Sequence, residues 1–162
     1  MQLFLLTAPP GLGEWLLQRQ RTKAGPDAMV DQMMKLCCFE PQSIPKEVME
    51  QHRVMSRARA QMSWAEGAYL EAQRSLMWQM SVGQGETIGA MRAVQAPVLL
   101  IQGAHDRLVP RVSAERAVRL CPSWRLEIYE SSGHTPMLEE PGRFADSVTL
   151  WLGRNQKARA SA

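Results

Sequence analysis

The sequence predicts an α/β fold in which about three parallel strands, flanked by helices, form an incomplete sheet, and a long helical region separates the first strand from the others. Three observations carry this. Val98-Leu99-Leu100-Ile101, a short apolar run, and Leu126 to Tyr129 read as strands separated by a helical pattern, the order that leads to parallel pairing through a crossover. From Ala8-Pro9-Pro10-Gly11 to about Val94 the pattern is helical and rich in Met, with no β-type alternation. Each of the two later strands is followed by a loop that carries a candidate side chain, Asp106 after the first and His134 after the second.

Taken in order, Leu3 to Thr7 reads as a buried strand that ends at the Ala8-Pro9-Pro10-Gly11 breaker. It is too short to span a membrane and lacks the basic region of a signal peptide, so a cytoplasmic location is expected. One helix covers Glu14 to Arg21. A second opens at Asp27 as N-cap and places Met29, Val30, Met33, Met34 and Cys37 on one face. A third begins at Pro45, after Ser43, and aligns Val48, His52, Met55 and Met62. A fourth runs from about Trp64 to Met80 with Tyr69, Ala72, Leu76 and Met80 as its apolar side, and Gly83-Gln84-Gly85 breaks the pattern. The helix after Pro110 is expected to bury Val112, Ala117, Val118 and Leu120 and to stop at Pro122. The final helix opens at Pro141 and uses Phe144, Val148, Trp151 and Leu152, followed by a frayed tail from Arg154 to Ala162. The implied division is 1–10 as core strand, 11–95 as helical region, 96–153 as α/β core and 154–162 as tail.

Composition narrows the function. At 162 residues, 45% hydrophobic and 22% charged, the chain has room for one ordinary domain and reads as neither disordered nor membrane-embedded. The net charge of +3 is scattered, and Arg53, Arg57 and Arg59 alternate with other residues as a solvated helix face, so no nucleic acid and no membrane partner is expected. Three cysteines, two of them adjacent (Cys37 and Cys38) and the third distant (Cys121), form no disulfide framework and read as buried free thiols. His52, His105 and His134 stand apart, so no metal site is expected, and no cofactor is implied.

Asp106 and His134 are the candidate catalytic residues. Open parallel sheets bind ligands beyond the carboxyl ends of their strands, and both residues lie a few positions past a strand end. A carboxylate there can accept a hydrogen bond from the imidazole, select its tautomer and stabilise the imidazolium formed during proton transfer. Gly133 permits a sharp turn before His134, and Pro136 stiffens the exit. A lone Asp is often a turn residue and a lone His often a core residue, but their matched placement favours the pair. His105 reads as a variable loop residue, His52 as a structural histidine, and Glu139 and Glu140 as partners of the last helix's dipole. The Met and Trp residues between Met29 and Met80 suit either a lid over an acyl or aromatic substrate or ordinary helix packing.

From Ala96 to Leu152 the sequence closely resembles the α/β-hydrolase family. Pro97-Val98-Leu99-Leu100-Ile101-Gln102-Gly103, followed by Asp106, Val109 and Pro110, is similar to that family's acid strand and loop. Gly133-His134-Thr135-Pro136 with Glu139 and Pro141 is similar to its histidine loop and last helix. Leu3-Phe4-Leu5-Leu6-Thr7-Ala8-Pro9 resembles the strand just after the nucleophile, and the Met-rich helices sit where the family inserts its cap. The resemblance implies a partial α/β-hydrolase fold with a helical cap. It also implies a nucleophile–histidine–acid order in which Asp106 and His134 are the last two members. The family's Gly-x-Ser-x-Gly elbow is absent: in the nearest approach, Ser81-Val82-Gly83, Gln79 occupies the first glycine position and no strand precedes it.

The first expectation is therefore the C-terminal part of a hydrolase acting on esters or related small acyl substrates, inactive as an isolated chain. The nucleophile's identity (Ser, Asp or Cys) and the substrate stay open. The alternative is an inactive truncated homologue or interaction subunit, associating into oligomers through the exposed sheet edge. An in-frame Gly-x-Ser-x-Gly upstream of Met1 in the coding region would separate the two.

Overall fold

Val98 to Ile101 and Leu126 to Ile128 supply branched apolar residues that suit a pleated, half-covered surface. In the computed structural model, which describes residues 11–160, they form β1 (Leu99–Gly103) and β2 (Arg125–Tyr129). The two strands pair in parallel, with Leu99 opposite Arg125 and Gly103 opposite Tyr129. The sheet has these two strands among the described residues. The further strand expected at Leu3 to Thr7 lies outside them.

The remaining elements are helical. They comprise α1 (Leu12–Cys37), a 3-10 turn (Pro41–Ser43), α2 (Lys46–Ala60), α3 (Ala65–Ser81), α4 (Gln84–Ala93), α5 (Arg111–Leu120), α6 (Pro136–Glu139) and α7 (Pro141–Ala160). The chain divides into two compact units. One holds the described residues up to Met34 with Pro45–Gly89; the other holds Lys35–Ile44 with the described residues from Ala90 onward.

In the first unit the two helices expected before residue 40 are both present within α1, separated by a break at Gly25 (φ 71°, ψ 166°) ahead of Pro26. The break precedes Asp27, so Asp27 is not the N-cap. Its carboxylate instead accepts two hydrogen bonds from Arg57, at 2.8 and 2.6 Å. Arg53 donates to Asp31 at 2.9 Å and Ser56 to the Pro26 carbonyl at 3.0 Å. Rising numbers on α1 thus meet falling numbers on α2, and the two segments run antiparallel. Arg53 and Arg57, read from sequence as a plain solvated face, are ion-paired at an exposed helix–helix seam.

The apolar stripes need correction. Val30, Met34 and Leu70 are buried, but Met33, Met55, Met62, Tyr69, Leu76 and Met80 are exposed. The buried positions on α3 are Leu70 and Gln73, a different face from the expected one. Periodicity identifies which residues share a helix face, but not which face a neighbour covers.

In the second unit α5 connects β1 to β2 and buries Ala114, while Val112 stays exposed. Helix α7 continues to Ala160, through the segment expected to fray; Arg154, Gln156, Lys157 and Ala158 are good helix formers. Tyr129, at the end of β2, is completely buried. Its hydroxyl donates to the Arg143 carbonyl (3.0 Å) and lies 2.8 Å from Ser147 Oγ, tying the strand end to α7. Tyr129→Phe should lower the unfolding free energy by about 1 kcal/mol. A urea midpoint that falls with an unchanged slope would register this; an unchanged midpoint would show that the hydroxyl contributes nothing.

Candidate active site

Residues 103–109 and 129–135 form the loops that follow β1 and β2. They are joined by backbone hydrogen bonds: Ala104 N–H donates to the Tyr129 carbonyl (2.9 Å) and His105 N–H to that of Ser132 (3.0 Å). A Cβ on Gly103 would overlap the carbonyl oxygen of Gly133, so only glycine lets the loops approach this closely. The close approach brings the two candidate residues together. His134 Nδ1 lies 2.8 Å from Asp106 Oδ2.

Asp106 is saturated with donors. Its Oδ1 accepts the backbone N–H groups of Leu108 (2.8 Å) and Val109 (2.9 Å). Its Oδ2 accepts Gln102 Nε2 (3.1 Å) as well as the imidazole. Burial alone would push this carboxyl up, but the bonds from Val109, His134, Leu108 and Gln102 together hold it below the usual carboxylate value. An ionised carboxylate can only accept, so Nδ1 carries a proton in this contact, and in the neutral imidazole Nε2 presents a lone pair. The Asp106 side chain is 4% accessible and that of His134 is 37% accessible, so the carboxylate is enclosed and the imidazole partly exposed. No hydrogen bond to Nε2 is present among the described residues. Such an arrangement can take a proton from a group placed at Nε2 and return it later.

Three contributors were not identified from sequence as parts of the site. Gln102 is buried, and its amide nitrogen faces three acceptors: the Gly103 and Val109 carbonyls and Asp106 Oδ2. Its signal was a polar residue at the end of an otherwise apolar strand. Glu139 does more than favour a helix start, since its carboxylate accepts Gly133 N–H (2.8 Å) and Phe39 N–H (2.6 Å). The third is the segment Cys37–Phe39, where the Cys37 carbonyl accepts His134 N–H at 2.6 Å. Cys38 Sγ also lies 3.3 Å from Thr135 Oγ1. Nothing local in the sequence pointed to either pairing.

His105 stacks flat on Phe39, with ring centroids 3.7 Å apart, and makes no contact of a second base. Cys37, Cys38 and Cys121 are free and buried. Burial, followed by the neighbouring Cys38, Asp106 and Glu139, pushes the Cys37 thiol up. Burial also pushes Cys38 up, with the Thr135 hydrogen bond opposing. Both thiols are therefore held protonated, the wrong state for a nucleophile. Ser81 closes α3 and donates back to the Met77 carbonyl (2.6 Å), as a helical serine does and a strand-to-helix elbow does not. Among the described residues no three His, Cys, Asp or Glu side chains converge on one metal position, and no helix is long and apolar enough to cross a membrane.

Residues 5–147 match the sequence profile described as "Alpha/beta hydrolase family". The chain belongs to the alpha/beta hydrolase family. The AB hydrolase superfamily protein YclE of Bacillus subtilis is 38% identical over 77 residues, which cover 47% of this chain and 27% of that protein. A Burkholderia cenocepacia protein proposed to be an aryl esterase superimposes with a TM-score of 0.60 at 26% identity, covering 81% of this chain and 44% of that one. A thermophilic esterase from Thermogutta terrifontis, solved with malate bound, has a TM-score of 0.62 at 21% identity over 94% of this chain and 50% of its own, which shows the shared fold. This alpha/beta hydrolase chain thus spans about a quarter of the curated relative and half or less of these solved structures.

Proposed function

We propose that this chain supplies the base and the acid of a nucleophile–histidine–acid triad for the hydrolysis of esters or related small acyl compounds, with the nucleophile absent from its own sequence. The Asp106–His134 contact at 2.8 Å, with the His134 side chain partly accessible, is the observation that carries the reading. Membership of the alpha/beta hydrolase family and the esterase fold neighbours support it. In the complete site, His134 Nε2 removes the proton of the nucleophile as that atom attacks the acyl carbon. The same proton then passes to the leaving group, while Asp106 stabilises the imidazolium and holds the ring in register.

The sequence carries no Gly-x-Ser-x-Gly, so the attacking atom, and the oxyanion donor that follows it in the family pattern, have no counterpart in this chain. The purified chain should therefore hydrolyse short p-nitrophenyl esters no faster than its His134→Ala variant. Turnover by the wild type that is lost in His134→Ala would overturn this, because it would require a nucleophile within these 162 residues.

A further inference from the structure

We infer that Glu139 is a positioning residue for His134, clamping the histidine loop onto the Cys37–Phe39 segment at the end of α1. The inference rests on the reading of His134 as the base. One carboxylate oxygen of Glu139 accepts the N–H of Gly133, the residue directly before His134, and the other accepts the N–H of Phe39, 100 residues away. Two further contacts run between the same stretches of chain: His134 N–H to the Cys37 carbonyl at 2.6 Å, and Cys38 Sγ with Thr135 Oγ1 at 3.3 Å. Gly133 lies against this segment so closely that a Cβ would overlap the Cys37 carbonyl oxygen and come within 2.9 Å of Phe39 N.

The contacts act on different parts of His134. Asp106 holds the ring through Nδ1, and that alone leaves the backbone free to rotate about the contact. The Glu139 bridge fixes the backbone on which the ring is mounted, so Nε2 keeps one direction. Both partners are N–H donors, so both carboxyl oxygens of Glu139 act as acceptors. Glutamine has nearly the same shape but turns an NH2 group toward one of the two donors.

The test is amide and imidazole hydrogen exchange, followed by NMR on the full 15N-labelled chain, for wild type, Glu139→Gln and Asp106→Asn. Glu139→Gln should speed exchange at Gly133, His134, Phe39 and the His134 Nδ1 proton by about tenfold, while Ile101 and Ile128 in the strands stay unchanged. Equal acceleration at Ile101 and Ile128 would mean that Glu139 only stabilises the fold globally, and would overturn the inference. If Asp106→Asn changes the His134 tautomer but Glu139→Gln leaves the Nδ1 proton untouched, the Glu139 role fails and the base reading stands. If Asp106→Asn leaves the tautomer unchanged, the base reading fails and this inference with it. Should Glu139→Gln not fold, the wild type still decides: Gly133, His134 and Phe39 should open together with one protection factor, and unequal protection of Phe39 and Gly133 would overturn the clamp.

Discussion

Asp106→Asn is expected to move the His134 proton from Nδ1 to Nε2 and to destabilise the chain by about 1–3 kcal/mol. The asparagine oxygen can still accept from Leu108 and Val109, which leaves its NH2 facing two groups that are themselves donors, His134 Nδ1 and Gln102 Nε2. The imidazole can turn Nδ1 into an acceptor by shifting its proton; the Gln102 amide, already set against the Gly103 and Val109 carbonyls, has no such freedom. A histidine protonated on Nε2 cannot take a proton there, so a complete enzyme built on this site should lose about 10⁴-fold in kcat. Imidazole 15N shifts and urea unfolding read the two effects on the chain itself. Retention of the Nδ1–H form would sink the assignment of Asp106. The pH dependence has a definite sign. The carboxyl is held below its ordinary value in the folded state, so its contribution is fully present above the unfolded pKa of about 3.9 and fades as pH falls through the lower folded value. Wild type should therefore lose stability in acid below about pH 4, and Asp106→Asn should lack that component of the loss.

Gly103→Ala and Gly133→Ala should each destabilise the fold by about 1–3 kcal/mol or more, while Gly89→Ala and Gly153→Ala should stabilise it by about 0.5–1 kcal/mol. The first pair sit where three stretches of backbone stack. A Cβ on Gly103 comes within 2.8 Å of the Gly133 carbonyl carbon, and one on Gly133 within 3.1 Å of the Cys38 carbonyl carbon. The atoms in the way are backbone and cannot swing aside. Gly89 and Gly153 lie inside α4 and α7 with nothing within 4 Å of an added Cβ, so alanine removes unfolded-state freedom without a clash. Thermal or urea midpoints of the four variants give the comparison. If Gly103→Ala and Gly133→Ala are as stable as the wild type, the stacked contact between the loops is not as described.

The strands, the crossover helix and the Asp106 and His134 loops were legible because each has a local cause. Branched and aromatic residues favour the two strands, Pro110 and Pro122 bracket α5, and Asp106 and His134 each follow a strand end by a few residues. The apolar stripes were legible as stripes only. Met55, Leu76 and Met80 share helix faces, yet they face solvent, because burial depends on a neighbour that no periodicity specifies.

The sequence by itself determined which two side chains follow the strand ends, Asp106 and His134. Tertiary structure decided that they meet and how their contact is held. The amide of Gln102 reaches Asp106 only four residues on, but the bridge from Glu139 to Phe39 and the bond from His134 to the Cys37 carbonyl join residues whose only relation is their position in space. A hydrogen bond across 100 residues leaves no spacing to read, because its geometry depends on the close contact of Gly103, Gly133 and the end of α1, which no local pattern specifies.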